Sequence, residues 1–550
     1  MSETRGNKAA SIKADRRAEK HRRGVEANRR SGTKGIAQIA RLLPETARWR
    51  YFPAAAGVFY SLMAGALCFR YHNILDYGME SDFLFEYVPA AREIARGVLP
   101  IPLYRGPVYP LLLAAVNTLT GDYFRSGLLI SVVAAAAVVA LSCALIRRLF
   151  NARIATAIVP LMMANPAFFL YTYQVGTDML FVALVTGCLY LLLANERFNF
   201  VRLSFSAMFA ALAYLTRYNG IFILAAPIIL MLTALRNRDW SRRAIAGALF
   251  TSVFFACITP WGLYCLKQKG RFFYSENQLN IALEVYGRKE SSREEFFWRE
   301  ENRFRRMSLP ALVFYDPPVF LRTLARNFWS HGLNTLKYLV GWPLAALAAV
   351  GLFLLLISGP TSAQAAYLLL NLAFFLVLLP IHFEIRYPLF LLAGLLALAM
   401  CGLFLWNLPS SKQWRRVSLV VLTGLVAYAG VNSYQFNRWQ IRAGPKEVLE
   451  IAAWLKAHGA SEGSGMTIAA RKPHIAYYAG LQYVPLPFAN SPEELIRTLK
   501  KQRVKYLYFG PMEYTLRPEL GALYDANSSW PGLKRLVATS DAPSVLYEVE

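Results

Sequence analysis

A succession of apolar stretches, each near the roughly 20 residues that carry a helix across hydrocarbon, constrains this chain more than any other feature. They cover residues 52–69, 127–146, 152–171, 179–194, 203–215, 220–235, 244–266, 338–357, 363–379, 387–406 and 417–434. Of the 550 residues, 56% are hydrophobic and only 17% charged, so the fold class expected is a polytopic α-helical membrane protein with about eleven transmembrane helices. Soluble multidomain readings are excluded on the same ground.

The net charge of +26 is uneven, and much of it lies in residues 1–51. Lys8, Lys13, Arg16, Arg17, Lys20, Arg22, Arg23, Arg29 and Arg30 stand there among residues with almost nothing apolar to bury, so the segment reads as a disordered basic tail. Placed directly before an apolar stretch, it fits the positive-inside rule better than a nucleic-acid arm, and no nucleic-acid partner is expected. The tail is longer than a secretory signal's basic region and no small-residue cleavage site follows 52–69, so the first span is expected to be retained. The amino terminus is then cytoplasmic.

Counting 107–119 as a span would place Arg147, Arg148 and Arg153 outside, whereas a helix lying at the interface there removes the conflict. With that choice Arg197 and Arg202, then Arg236, Arg238, Arg242 and Arg243, then Lys412, Arg415 and Arg416 all fall on the cytoplasmic side. The core, 52–434, then presents a first outer loop at 70–121 and a long one at 267–334, and 435–550 lies outside the membrane. The run Arg293-Glu-Glu-Phe-Phe-Trp-Arg-Glu-Glu of the long loop reads equally as a cover for a cavity or as a solvated amphipathic helix.

The six cysteines, Cys68, Cys143, Cys188, Cys257, Cys265 and Cys401, lie inside apolar stretches without a CxxC pair and read as small hydrophobes. After 434 the pattern alternates: helix 446–458, strand 466–470, helix 474–479, strand 483–487, helix 491–502, strand 506–509 and strand 541–549. A small soluble α/β domain follows from it. Arg471-Lys472-Pro473, at the end of one strand, reads as a solvated turn in preference to an anion site.

Charges at span ends cost roughly 2.5–3.5 kcal/mol if drawn into hydrocarbon, and several gather at the outer face of this topology. They are Asp82, Arg105, Asp178, Arg217, and the set His382, Glu384 and Arg386. Taken singly, each arginine is equally a snorkelling side chain, Asp82 equally a helix cap, and Asp178 equally the start of a span. His382 has no second histidine at metal spacing and reads as an interfacial or structural residue. Taken together, carboxylates beside arginines at headgroup height suit a substrate that is half lipid and half polar with a phosphate between, because a guanidinium fork binds phosphate bidentately and stays charged.

Asp82, then Tyr87-Val-Pro-Ala-Ala-Arg-Glu-Ile-Ala-Arg-Gly97, then Tyr104-Arg-Gly-Pro-Val-Tyr-Pro-Leu-Leu-Leu113, resembles the first outer loop of the C-type glycosyltransferase superfamily, in its protein O-mannosyltransferase and lipid A aminoarabinose transferase branch. The resemblance continues through Thr177-Asp178, Leu215-Thr-Arg-Tyr-Asn-Gly220 and Glu384-Ile-Arg-Tyr-Pro388. Two departures stand out: the common Asp-Glu pair is Asp82-Phe83, and the common Pro-Pro is Gly106-Pro107.

The resemblance implies a membrane glycosyltransferase of a bacterial inner membrane that moves a sugar from a polyprenyl-phosphate donor to a lipid, glycan or protein acceptor on the periplasmic side. It implies a catalytic Asp82 and a donor-phosphate contact from Arg105, and from the charged cluster itself Arg217 and Arg386 are expected to bind the same phosphate. Asp178, with Glu384 and His382 beside it, is expected to bind substrate or a divalent cation, the one cofactor considered. The alternative is a transporter or flippase for an amphipathic anionic lipid-linked substrate, against which stand the gathering of charge at one face and the lack of an internal repeat.

Overall fold

The structure, a computed structural model, describes residues 47–72, 81–193, 199–233, 239–287, 296, 303–405, 412–525, 527–539 and 543–550. The expected basic tail up to residue 46 lies outside them, as do Arg197, Arg236, Arg238 and, apart from Phe296, the run from Arg293 to Glu301.

Helices occupy every apolar stretch, but their lengths differ. Among the described residues, five helices are long and apolar enough to cross a membrane: Tyr51–Tyr71, Tyr123–Leu149, Trp240–Lys269, Tyr387–Phe404 and the run Arg416–Ala457. Counting two bent pairs as one span each gives up to seven. In one, Ala152–Met163 meets Pro166–Tyr173 at 62°, where Asn165 caps the second helix and Pro166 occupies its first turn without needing a donor.

The second pair corrects an expectation, because 338–357 is not a continuous span. Pro317–Val340 turns by 116° into Trp342–Ser358 at Gly341, whose φ of 85° is a left-handed conformation that glycine adopts without strain. The expected outer loop 267–334 accordingly ends in a helix, Pro317–Asn334, which supplies the first limb of that bend.

The remaining apolar helices are shorter: Val108–Thr120, Asp178–Leu193, Phe200–Thr216, Tyr218–Leu232 and Ser362–Val377. Two of them form the middle of the bundle, where Val185, Cys188, Leu189, Ala207, Ala210 and Ala211 have no exposed surface.

Lipid tails are as apolar as leucine, so helices in a membrane are held by close packing. The tightest crossing joins Trp342–Ser358 to Leu392–Leu405: a Cβ added at Gly351 would lie 1.8 Å from the Leu398 carbonyl oxygen, and one at Gly402 would lie 2.1 Å from that of Leu347.

Residues after 443 form helix Lys446–Ala457 and a five-stranded sheet of β1 (Thr467–Ala470), β2 (Gln482–Pro485), β3 (Tyr506–Phe509), β4 (Leu533–Ala538) and β5 (Val545–Val549). The strand order is β2-β1-β3-β5-β4, with β1 parallel to both of its neighbours and β5 antiparallel to both of its own. Helix Pro492–Lys501 is capped by Ser491 and buries Leu495, Ile496 and Leu499 beneath the sheet.

Replacing Gly402 by isoleucine is expected to force the crossing apart, since overpacking costs roughly 1–3 kcal/mol. A lower unfolding temperature in detergent would register it, while Gly424→Ile, on the open face of the Lys412–Arg442 helix, should leave that temperature unchanged.

Candidate active site

Asp82 sits in helical backbone, φ −61° and ψ −33°, immediately before a single wide π-turn, Phe83–Tyr87. Its side chain caps nothing, so the capping reading does not hold. Phe83, Leu84 and Tyr87 are buried and anchor this turn, leaving the carboxylate 3.5 Å from Arg386 Nη1 and 4.0 Å from Arg105 Nη2.

Arg105 hangs from a loop that is fixed on three sides. Asn277 donates to the Tyr104 carbonyl at 2.7 Å, and the Glu276 N–H donates to that of Leu103 at 2.7 Å. The Tyr104 N–H donates to Glu86 Oε1 at 3.1 Å. At the next residue a Cβ on Gly106 would lie 2.0 Å from the Leu215 carbonyl oxygen, so only glycine lets the loop lie this close to the helix end that carries Arg217. Arg105 Nε is buried with no hydrogen-bond partner among the described residues.

Arg217 ends helix Phe200–Thr216 and pairs with Asp178, the first residue of the neighbouring helix Asp178–Leu193. It also donates to Thr177 Oγ1 at 3.3 Å. Arg386 pairs with Glu384, whose other oxygen lies 2.7 Å from His382 Nε2. The ring centroid of Tyr387 lies 5.3 Å from the Arg386 guanidinium carbon and 5.5 Å from that of Arg217. The charged residues singled out in the sequence therefore form one connected cluster.

Side-chain exposure separates their parts. Arg105, Arg217 and Arg386 are 13%, 6% and 14% exposed, which rules out snorkelling to solvent, whereas Asp82 is 45% exposed. Burial opposes ionisation of Glu384, but Arg386 and then the His382 hydrogen bond outweigh it and hold the carboxyl well below the usual range. Among the described residues no three His, Cys, Asp or Glu side chains gather to hold a metal ion. Asp178, Glu384 and Asp82 each lie against an arginine.

The sequence reading missed Glu86 and Tyr387. Glu86 is the lone acid in Phe83-Leu-Phe-Glu-Tyr, one helical turn after Asp82, and that spacing was the available signal. Burial pushes its carboxyl up to about 7 against the pull of Arg105 and the Tyr104 N–H. The folded protein thus binds the Glu86 proton more tightly than the unfolded chain does, so stability falls as pH rises from the ordinary value of 4.5 towards 7. Glu86→Gln keeps the acceptor oxygen and removes the titration. Its unfolding temperature should gain on the wild type between about pH 5 and about pH 8, and parallel curves for the two proteins would contradict this assignment.

Residues 104–264 match the family model of dolichyl-phosphate-mannose-protein mannosyltransferases. No curated protein matches the chain by sequence. Among solved structures, ArnT from Cupriavidus metallidurans bound to undecaprenyl phosphate is similar at a TM-score of 0.56 and 16% identity, over 92% of this chain and 98% of that one. The archaeal oligosaccharyltransferase AglB from Archaeoglobus fulgidus, in complex with an inhibitory peptide and a dolichol-phosphate, gives 0.55 and 12% over 86% and 70%. Both neighbours belong to the superfamily that the motifs resemble, and the chain has the C-type glycosyltransferase fold.

Proposed function

We propose that this protein is a membrane glycosyltransferase that moves a sugar from a polyprenyl-phosphate donor to an acceptor at the membrane face bearing the C-terminal domain. The observation that carries the reading is the convergence of two buried arginines, Arg105 and Arg386, on one half-open carboxylate, Asp82, with Arg217 held behind them across the Tyr387 ring. The match to mannosyltransferases over 104–264, and neighbours solved with undecaprenyl phosphate and dolichol-phosphate, support a lipid-phosphate donor.

In this reading the donor phosphate takes over the guanidinium N–H groups of Arg105 and Arg386, leaving Asp82 to the acceptor. The acceptor oxygen attacks the anomeric carbon, the bond from that carbon to the phosphate oxygen breaks, and the lipid monophosphate departs with the electron pair. Negative charge grows on the phosphate along this path, so cations fixed beforehand stabilise the transition state more than the ground state. Asp82 accepts the acceptor's proton, a task for which its exposure suits it. Asp178 and Glu384 act through the arginines they hold.

The test is transfer of radiolabelled sugar from a panel of polyprenyl-phosphate donors by purified protein in lipid nanodiscs. Asp82→Asn is expected to lower the rate by about 10²–10⁴, and Arg386→Ala to lower kcat by about 10²–10³. Transfer untouched by Asp82→Asn would remove it as the base, and donor crossing the bilayer without transfer would favour the transporter.

A further inference from the structure

Helix Pro317–Asn334 is turned the wrong way round for a water-facing element. Leu321, Trp329 and Leu333 are exposed, whereas Thr323, Asn327 and His331 are buried against the protein. Polar side chains placed inside need partners there, and Asn327, 2% exposed, has them at both ends of its amide. Its Nδ2 donates to the Leu379 carbonyl at 2.9 Å and to Glu284 Oε1 at 3.1 Å. Its Oδ1 accepts from Arg326 Nε at 3.2 Å and Nη2 at 3.1 Å, and the same Nη2 lies 3.0 Å from Glu284 Oε1.

Both Leu379 and Glu284 lead to the candidate site. Leu379 stands three residues before His382, so its carbonyl opens the stretch that carries Glu384 and Arg386. The His331 ring, from the same helix as Asn327, meets that of Phe383 at 5.6 Å. Glu284 lies in helix Gln278–Tyr286, at whose N-cap stands Asn277. The Asn277 side chain caps nothing; it donates to the Tyr104 carbonyl at 2.7 Å, and Arg105 Nη1 donates to its Oδ1 at 3.5 Å. Seven residues on, two helical turns, Glu284 returns to the same face of the helix, about 10 Å away. Leu279 and Ala282 have no exposed surface and pack with Phe304 and Leu312, so this short helix is held as one piece.

Arg105 and Arg386 are thus joined by a route that runs outside the charged cluster, through Asn277, helix Gln278–Tyr286, Glu284 and Asn327. We propose that this helix is a spacer that sets the gap between the two arginines, with Asn277, Glu284 and Asn327 as positioning residues for the anion that the guanidinium groups hold. Its Arg105 end is the anchored one, because Gly106 lies against the Leu215 carbonyl. A break along the spacer therefore frees the turn that carries Arg386. When an arriving anion takes guanidinium N–H groups from Asp82, the spacer keeps its own contacts and the gap persists. The proposal rests on the glycosyltransferase reading for calling that anion a lipid phosphate, whereas the spacer itself does not.

Hydrogen exchange in lipid nanodiscs reads the spacer without substrate. The Tyr387 N–H donates to the Glu384 carbonyl at 3.0 Å and the Ile381 N–H to that of Leu378 at 3.4 Å, so both amides report on the turn. Glu284→Ala is expected to speed exchange over 381–387 about tenfold, and Asn277→Ala to speed it less, with Trp342–Ser358 and the C-terminal sheet unchanged. Glu284→Gln, which keeps the acceptor oxygen, should behave as the wild type. Asn277→Ala combined with Glu284→Ala should go no further than Glu284→Ala alone, because both changes break one spacer. Exchange over 381–387 unmoved by Glu284→Ala, effects that multiply in the double variant, or loosening spread over the whole chain would overturn the proposal. Farnesyl phosphate, followed by intrinsic fluorescence, then tests the anion: its Kd should rise about tenfold in Glu284→Ala and stay unchanged in Glu284→Gln. An unaltered Kd beside faster exchange would overturn the claim that the gap governs anion binding. A wild type that binds no farnesyl phosphate would count against the lipid-phosphate reading, and the exchange result alone would then decide the spacer.

Discussion

Burying guanidinium groups at the end of a membrane bundle is the constraint on which the rest of the arrangement depends. An arginine there cannot shed its proton, so each needs a carboxylate or a carbonyl within reach, and that demand decides which helix ends must meet. Arg217 draws the end of Phe200–Thr216 to the start of Asp178–Leu193 through Asp178. Arg386 draws the loop before Tyr387–Leu391 to Asp82. The shortness of the central helices follows from the same cause, since a charged residue at the edge of hydrocarbon stops an apolar run.

Asp82 differs from the other carboxylates in being half open, and the π-turn after it accounts for that. A wide turn shifts the register of the helix by one residue, so Phe83, Leu84 and Tyr87 enter the core together while Asp82 keeps its outlook on the cluster. Glu86, on the same face, ties this turn to the loop of Arg105. Asp82 and Arg105 are thereby carried on one continuous hydrogen-bonded unit.

Much of this was legible because hydropathy and charge are local. The apolar helices, and the charged residues near their ends, could be read directly, though not how many of them cross a membrane, as could helix His474–Ala479 and strand Tyr506–Phe509 in the C-terminal domain. What escaped depends on tertiary context. The 116° turn at Gly341 lies inside an unbroken apolar run, so hydropathy passes over it. Strand β4 carries Lys534 and Arg535 because it is an edge strand, where charge guards against further pairing and also hides the strand pattern. The pairing of Asp178 with Arg217, and the reach of Lys472 to Ser81, have no local signature at all.

The contact of Gly106 with the Leu215 carbonyl sets how the cluster can be deformed. With no room for even a methyl group between the two backbones, the loop of Arg105 and the helix end of Arg217 behave as one casting. They form the fixed jaw of a caliper. Arg386, carried by the turn that follows Ser362–Val377, is mounted on a separate part and so forms the other jaw. Any change in the gap between Arg105 and Arg386 would thus fall to the His382–Arg386 turn, because the Gly106 contact with the Leu215 carbonyl leaves the other side no play.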